Sequence, residues 1–542
     1  MSRSFWWAAA LLAIFLGGCD PQQETNLVPA EGKAAAPVPG DTIIEASIGE
    51  PSNLLPVLSS DSASSDINGL VYNGLVRYDK DLRLEGELAE SWEVSEDGLT
   101  ITFHLRKGIK WHDGVPFTSA DVLFTYQLYT DPKTPTAYAE AYRQVSRAEA
   151  PDPLTFKVTY EKPYAPALAS WSIAIHPKHL LEGIDVTKSP LSRQPIGTGP
   201  YRFVEWKSGE KVVLEANADY FEGPPYIHRV VYRIIPDLST QFLELQSGGL
   251  DLMGLTPIQY QTQTDTPAFK RRFNKYHYLA FGYTYLGYNL RRPFFQDRRV
   301  RQALSYAINK QEIIDGVLLG LGKAATGPYK PDTWVYNPNV PKYPYDPEKA
   351  QALLAEAGWK DQNGDGILER NGQPFSFTIV TNQGNDLRVK TGEIIQRRFK
   401  EVGVDVKLRV IEWASFLKEF INPGNFDATI LGWSGGPEPD QYNIWHSSKT
   451  GPRELNFIRF KNAEVDDLLE RGRRTFDQDQ RKKIYDRFQE ILAEEQPYTF
   501  LYVGESLPAV ARRFRGIEPA PAGIRYNFIK WYVPKSEQKY DR

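Results

Sequence analysis

Five residues, Gly432-Trp433-Ser434-Gly435-Gly436, carry the most reactive pattern in the chain. Gly-x-Ser-x-Gly is the form of a nucleophile elbow, and Asp440 and His446 follow in the chain order of an α/β hydrolase triad. An elbow needs a strand that turns straight into a helix, whose amide end supports the serine. Pro437 and Pro439 obstruct such a helix, and Asp440 and His446 lie too close in sequence for a usual triad. A secreted serine hydrolase using Ser434 is therefore the minor reading. The glycines fit better as a flat surface for a ligand to lie on. A strand from Asp427 to Trp433 would deliver this loop, with Glu438 and Asp440, to the carboxyl end of a sheet. That is where open α/β sheets bind their ligands.

Two other patterns concern metal. Asp361, Asn363 and Asp365 place oxygen side chains at alternate positions, with Gly366 at the sharp turn, as at the opening of a calcium loop. The twelfth position, where a bidentate glutamate belongs, is Gly372, so an Asx-rich turn joining helix to strand is the competing reading. The seven histidines, His104, His112, His176, His179, His228, His277 and His446, show no tight ligand spacing, and Pro177 separates His176 from His179. His446 keeps a chelated metal open as a ligand class. No resident cofactor is expected.

Cys19 is the only cysteine, so neither a disulfide nor a cysteine metal cluster can form within the chain. It follows Arg3 and an apolar run of twelve, Phe5 to Leu16, too short for a stable bilayer span but suited to an export signal. No later stretch approaches about eighteen apolar residues. Residues 20–40 are poor in apolar bulk and read as a flexible tether.

The elements that must position the loop come next. With 64 Lys+Arg against 68 Asp+Glu the net charge is −4, which removes any global electrostatic case for nucleic acid. At 41% hydrophobic and 24% charged the composition is globular rather than disordered. The 12 Trp, 30 Tyr and 27 Phe can fill a large core and still face a ligand. Strands are expected over 42–48, 97–106, 154–160, 201–206, 211–215, 230–235, 375–381, 404–410 and 427–433. Helices are expected over 119–129, 298–308, 347–358, 388–402 and within 462–495. Interleaving of this kind gives α/β lobes rather than a barrel or a bundle.

The blocks Val71-Tyr-Asn-Gly-Leu-Val-Arg-Tyr-Asp79, Leu88-Ala-Glu-Ser-Trp-Glu93 and Lys110-Trp-His-Asp-Gly-Val-Pro-Phe-Thr118 resemble the dipeptide/oligopeptide/nickel extracellular solute-binding family. Gly197-Thr-Gly-Pro-Tyr201, Val300-Arg-Gln-Ala-Leu-Ser-Tyr-Ala-Ile308 and Tyr345-Asp-Pro-Glu-Lys-Ala350 continue the match in family order. The resemblance implies a type II periplasmic-binding-protein-like α/β fold with two lobes around a ligand cleft and an extra α/β domain. It divides the chain into lobe I (41–75, 196–282 and 506–542), an additional domain (76–195) and lobe II (283–505).

The implied role is substrate capture for an ATP-binding-cassette permease, not catalysis, by a monomer that closes over peptides, oligopeptides first; a chelated-metal or sugar-type ligand is the alternative. Residues 1–18 then read as a lipoprotein signal, and Leu16-Gly-Gly-Cys19 resembles a lipobox whose cysteine is lipidated. The location would be the periplasmic side of the inner membrane, or the outer face of the cell membrane in a Gram-positive organism. Trp433 and Trp413 match pocket tryptophans of the oligopeptide binders, with Ser434, Gly435 and Gly436 beside the ligand. The family's aspartate for the peptide ammonium stands three residues after that tryptophan, and here the position is Gly436. Glu438 or Asp440 would have to substitute. The dipeptide branch's arginine for the ligand carboxylate aligns near Asn382, with Arg388 close by.

Overall fold

The computed structural model describes residues 36–540; Cys19 and the signal segment lie outside them. Three sheets organise the chain. The first runs in the order Phe273–Lys275, Pro508–Ala511, Leu252–Gly254, Gly40–Ser47, Ile227–Ile234, Lys211–Ala216, Tyr201–Lys207. The second runs Tyr278–Leu279, Tyr498–Ser506, Gly282–Tyr288, Ala428–Ser434, Ser376–Asn382, Asp405–Ile411, with Gly322–Ala324 also paired to Tyr498–Ser506. The third is antiparallel, Ala89–Val94, Thr100–Leu105, Thr155–Tyr160, Val145–Asp152. Each has its own apolar core, and the second sheet has one on either face. A sheet covered on both sides must be written in near-continuous apolar residues, as Ala428-Thr-Ile-Leu431 is.

The first and second sheets are joined by two short crossings that lie side by side. Leu507 alone separates Tyr498–Ser506 in one sheet from Pro508–Ala511 in the other. Tyr276 and His277 separate Phe273–Lys275 from Tyr278–Leu279 in the same way. The Tyr276 N–H donates to the Pro508 carbonyl at 2.9 Å, so the crossings form one two-stranded ribbon. The Gly197-Thr-Gly199 turn sits against the end of helix Ser62–Val71. A Cβ on Gly197 would fall 1.9 Å from the Val71 carbonyl oxygen, so close backbone approach, not unusual torsion, requires glycine there.

The additional domain packs helix Ser119–Thr130 on its antiparallel sheet around Trp171, whose ring meets Phe103 and Phe156 edge-on. Asp121 accepts the Thr118 N–H at 2.9 Å and so fixes where that helix starts. The domain also reaches lobe II. Glu140 lies 3.5 Å from the buried Lys449 ammonium, and the Ala165 N–H donates to the Arg473 carbonyl at 2.6 Å. Within the expected span 462–495, Thr475, Phe476 and Asp477 separate helices Ala463–Arg474 and Gln478–Glu495.

Candidate functional site

A cleft of about 690 Å³ opens between the lobes. Its lobe I wall is the start of helix Ser62–Val71 with Ser60 and Asp61; Tyr138 comes from the additional domain. The second sheet supplies the ends of strands Gly282–Tyr288 and Ala428–Ser434, paired antiparallel with Gly282 opposite Ser434 and Tyr283 opposite Trp433. Volume and lining fall in the range of small-molecule sites, with aromatic walls and few placed polar groups.

Trp433 and Trp413 both line this cleft, as does Ser434. Trp433 is partly exposed, stacks on Phe457 with centroids 5.6 Å apart, and donates its indole N–H to the Tyr498 hydroxyl at 3.3 Å. Trp413 is more deeply set. Glu412 caps its helical turn by accepting the Ala414 and Ser415 amides, both at 2.9 Å. Across the lobe boundary Gly49 makes room for it, because a Cβ there would come within 2.8 Å of Trp413 Cβ.

Gly435 and Gly436 line a smaller adjoining pocket of about 50 Å³, and a Cβ on either would meet nothing within 4 Å. Glu438 borders the same pocket, but its Oε1 accepts from Arg481 at 2.6 Å. Burial pushes its carboxyl up, and Arg481 opposes that shift. Asp440 lines the main cleft and is held by Arg473 through Nε to Oδ1 at 3.0 Å and Nη2 to Oδ2 at 2.7 Å. Arg473 is only 4% exposed and also lies 3.8 Å from the centre of the Tyr442 ring. Both loop carboxylates are therefore already matched by cations.

Asn382 is fully buried and does not line the cleft. Its Oδ1 accepts from Arg388 Nη1 at 2.7 Å, so it orients the arginine. Arg388 does line the cleft, and among the described residues no carboxylate lies within ion-pair distance of it. Burial pulls its guanidinium below the usual arginine range, while the Tyr502 and Tyr285 rings act the other way. Gly432 permits the placement, since a Cβ would approach Arg388 Nη2 to 2.9 Å. Several buried polar atoms without hydrogen-bond partners among the described residues belong to cleft residues: Tyr283 Oη, Trp413 Nε1, Gln441 Oε1 and Asn443 Oδ1. Such atoms cost stability when left unpaired, which is the signature of a site built to meet a ligand.

Residues of the hydrolase reading are not assembled. The strand ends at Ser434, and the next helical turn begins only at Tyr442. Asp440 is committed to Arg473, and His446 Nδ1 pairs with Ser448 at 2.7 Å. His446 stacks on Tyr442 at 4.0 Å and does not line the cleft. In the 361–369 loop the carboxylates of Asp361, Asp365 and Glu369 gather within 4.8 Å. Asp361 accepts the Gly364 and Gly366 amides, and Asp365 accepts that of Ile367, so an Asx turn accounts for the oxygens.

Sequence reasoning passed over the lobe I wall, Ser60 to Asp66, and Glu454, Phe457 and Glu505 of lobe II. The wall had a signal: a helix opening Ser62-Ala-Ser-Ser-Asp66 places three serines and an aspartate, all weaker helix formers, in its first five positions. Arg388 had another, since a cation in the first turn of helix Asp386–Glu401 opposes the helix dipole.

Comparison with known proteins follows the same lines. The model described as bacterial extracellular solute-binding proteins, family 5 Middle, matches residues 83–454. The oligopeptide-binding protein AppA of Bacillus subtilis is 37% identical over 97% of both chains. Its structure in complex with a nonapeptide matches with a TM-score of 0.88 over 92% of this chain and 100% of that one. NikZ from Campylobacter jejuni in complex with Ni(L-His) is 31% identical, with a TM-score of 0.83 over 91% of this chain and 100% of that one. Heme-binding protein A of Haemophilus influenzae is 30% identical over 95% of this chain and 96% of its own.

Proposed function

The chain belongs to family 5 of the bacterial extracellular solute-binding proteins and has their type II periplasmic-binding fold, and from that premise we propose that it captures peptides for an ATP-binding-cassette importer. One observation carries the peptide reading: an aromatic-walled cleft of about 690 Å³ holds a guanidinium, Arg388, that no carboxylate among the described residues neutralises. A buried cation of this kind calls for an anionic group from the ligand, and a peptide carboxylate supplies it with bidentate geometry. The similarity to AppA supports the same class. No histidine is among the residues lining the cleft, which gives a chelated metal or haem less to hold.

The mechanism is closure. Ligand contacts to both walls stabilise the closed arrangement, in which Glu140 meets Lys449 and Ala165 meets Arg473, and the permease reads that form. The protein binds and releases without turnover. Cys19 anchors it through lipid after removal of residues 1–18, outside the membrane that carries the permease. Among the described residues no helix is long and apolar enough to cross a membrane, so retention depends on that anchor.

Native mass spectrometry of the purified protein tests the ligand class. Co-purified peptides are expected, and a homogeneous nickel chelate, haem or sugar would replace the peptide reading. Cys19→Ser should release a folded protein from the membrane fraction; equal retention of variant and parent would remove the anchor.

A further inference from the structure

The carboxylates of the cleft do not share one fate. Asp61 accepts from the Ser64 amide at 3.0 Å, from the Ser64 hydroxyl at 2.7 Å and from the Ser52 hydroxyl. Asp440 is matched by Arg473 and Glu454 by Lys449 at 3.7 Å, while Glu505 is hydrogen-bonded to His277 Nδ1 at 3.0 Å. Asp66 has no side-chain hydrogen bond and no ion pair among the described residues. It projects from the middle of helix Ser62–Val71 in lobe I, whereas the unmatched cation, Arg388, belongs to lobe II.

We propose that Asp66 is the partner for the ligand's ammonium group, so that the cleft selects peptides with a free α-amine held between Asp66 and Arg388. The assignment rests on the peptide reading above and adds the residue that sets its charge specificity. It follows from pairing: Asp66 alone of the cleft carboxylates has neither a side-chain hydrogen bond nor an ion pair among the described residues, Arg388 has no carboxylate partner there, and the two on opposite walls fit a ligand that carries one charge of each sign. It also explains closure, because a zwitterion engaged at both ends makes contacts with both lobes that neither lobe supplies alone.

The surroundings of Asp66 support an anion held ready for a cation. The side chain remains open to solvent within the cleft, yet the protein around it dehydrates the carboxyl enough to push it up to about 6. Arg525 opposes that rise, while Glu45 and Asp61 add to it. Arg525 is itself paired to Glu45, and the Tyr232 hydroxyl donates to the Asp66 carbonyl rather than to its carboxylate. An incoming ammonium would favour the ionised form and so bind more tightly as pH rises through this range.

The test compares a degenerate tetrapeptide mixture with free amines, the same mixture N-acetylated, and the same mixture with C-terminal amides. Binding to the full protein is measured by competition and native mass spectrometry. Wild type should prefer the free amine by roughly tenfold or more. Asp66→Asn, nearly isosteric on a solvent-facing helical position, should keep its melting temperature and lose that preference, and Asp66→Glu should retain part of it. Discrimination against the C-terminal amide should survive in both variants. The free-amine affinity of wild type should rise between about pH 5 and about pH 7.5, and that of Asp66→Asn should not; the His277–Glu505 contact is common to both proteins. A free-amine preference that persists in Asp66→Asn, or its absence in wild type, overturns the assignment. If wild type binds none of the three mixtures, the peptide reading falls, and the assignment with it.

Discussion

Glu438 and Asp440, on the loop that follows Trp433, and Asp66, on the facing helix, are carboxylates of the same chemistry with opposite surroundings. The loop pair is answered from behind by Arg481 and Arg473, from helices Gln478–Glu495 and Ala463–Arg474. Asp66 has no such backing. The difference teaches that nearness to a ligand-binding motif does not make a charge available. A carboxylate whose cation is built into the fold holds the loop in place, and one without a cation can hold a ligand.

Breaking the loop side of this comparison should have the largest effect. Asp440→Ala leaves the Arg473 guanidinium almost dry with its bidentate partner gone, which costs about 3–5 kcal/mol of stability. Scanning calorimetry should show a large fall in melting temperature, with substantial recovery in the double variant Asp440→Ala, Arg473→Met. An unchanged melt in the single variant would mean that the loop carboxylate is free after all.

Glu87 sharpens the comparison from a third direction, since partners alone do not keep a carboxylate ionised. It accepts from Asn73 at 2.7 Å and from the Gly74 amide at 2.8 Å, yet burial pushes its carboxyl up to about 7 from 4.5. The folded state therefore favours the protonated form. Its stabilising contribution is full below 4.5 and is lost as pH rises through about 7, a swing of roughly 3 kcal/mol. Glu87→Gln should flatten the unfolding free energy against pH in that window. A slope identical to wild type would show that burial does not govern this group.

Removing an aromatic wall should matter less to folding than to binding. Trp433→Ala is expected to cost about 2 kcal/mol in peptide affinity, roughly thirtyfold, because the ring is a partly exposed wall stacked on Phe457. Titration calorimetry with the tetrapeptide mixture reads it, and unchanged affinity would place the ligand elsewhere. The smallest effect is expected from Gly436→Asp, which adds a carboxylate where a Cβ has open space around it. With no arginine behind it, it should strengthen free-amine binding by at most about 1 kcal/mol. Unchanged free-amine binding would show that the ammonium does not approach this loop.

Much of the architecture was legible in the chain. Alternation in Leu154-Thr-Phe-Lys-Val-Thr-Tyr160 and the unbroken apolar run in Ala428-Thr-Ile-Leu431 gave strands close to where they lie, Thr155–Tyr160 and Ala428–Ser434. Boundaries moved where capping decided them. The helix expected from Arg388 starts at Asp386, because Asn385 Oδ1 accepts the Arg388 amide at 3.1 Å. Of the cleft, the strand end at Trp433 and Ser434 could be read, since a strand that stops in glycines announces an opening at a sheet edge.

The sequence by itself determined which segments are strands and helices, that strands and helices interleave, and which aromatic and charged residues are in supply, because periodicity and capping act within a few residues of one another. Only the tertiary structure decided which charges are spent. Asp440 finds Arg473 after 33 residues, Glu438 finds Arg481 after 43, and Asp66 forms no ion pair among the described residues, with Arg525 nearby but paired to Glu45. Such pairings depend on where remote helices dock on a sheet, and electrostatic energy depends on that distance and on the burial around it.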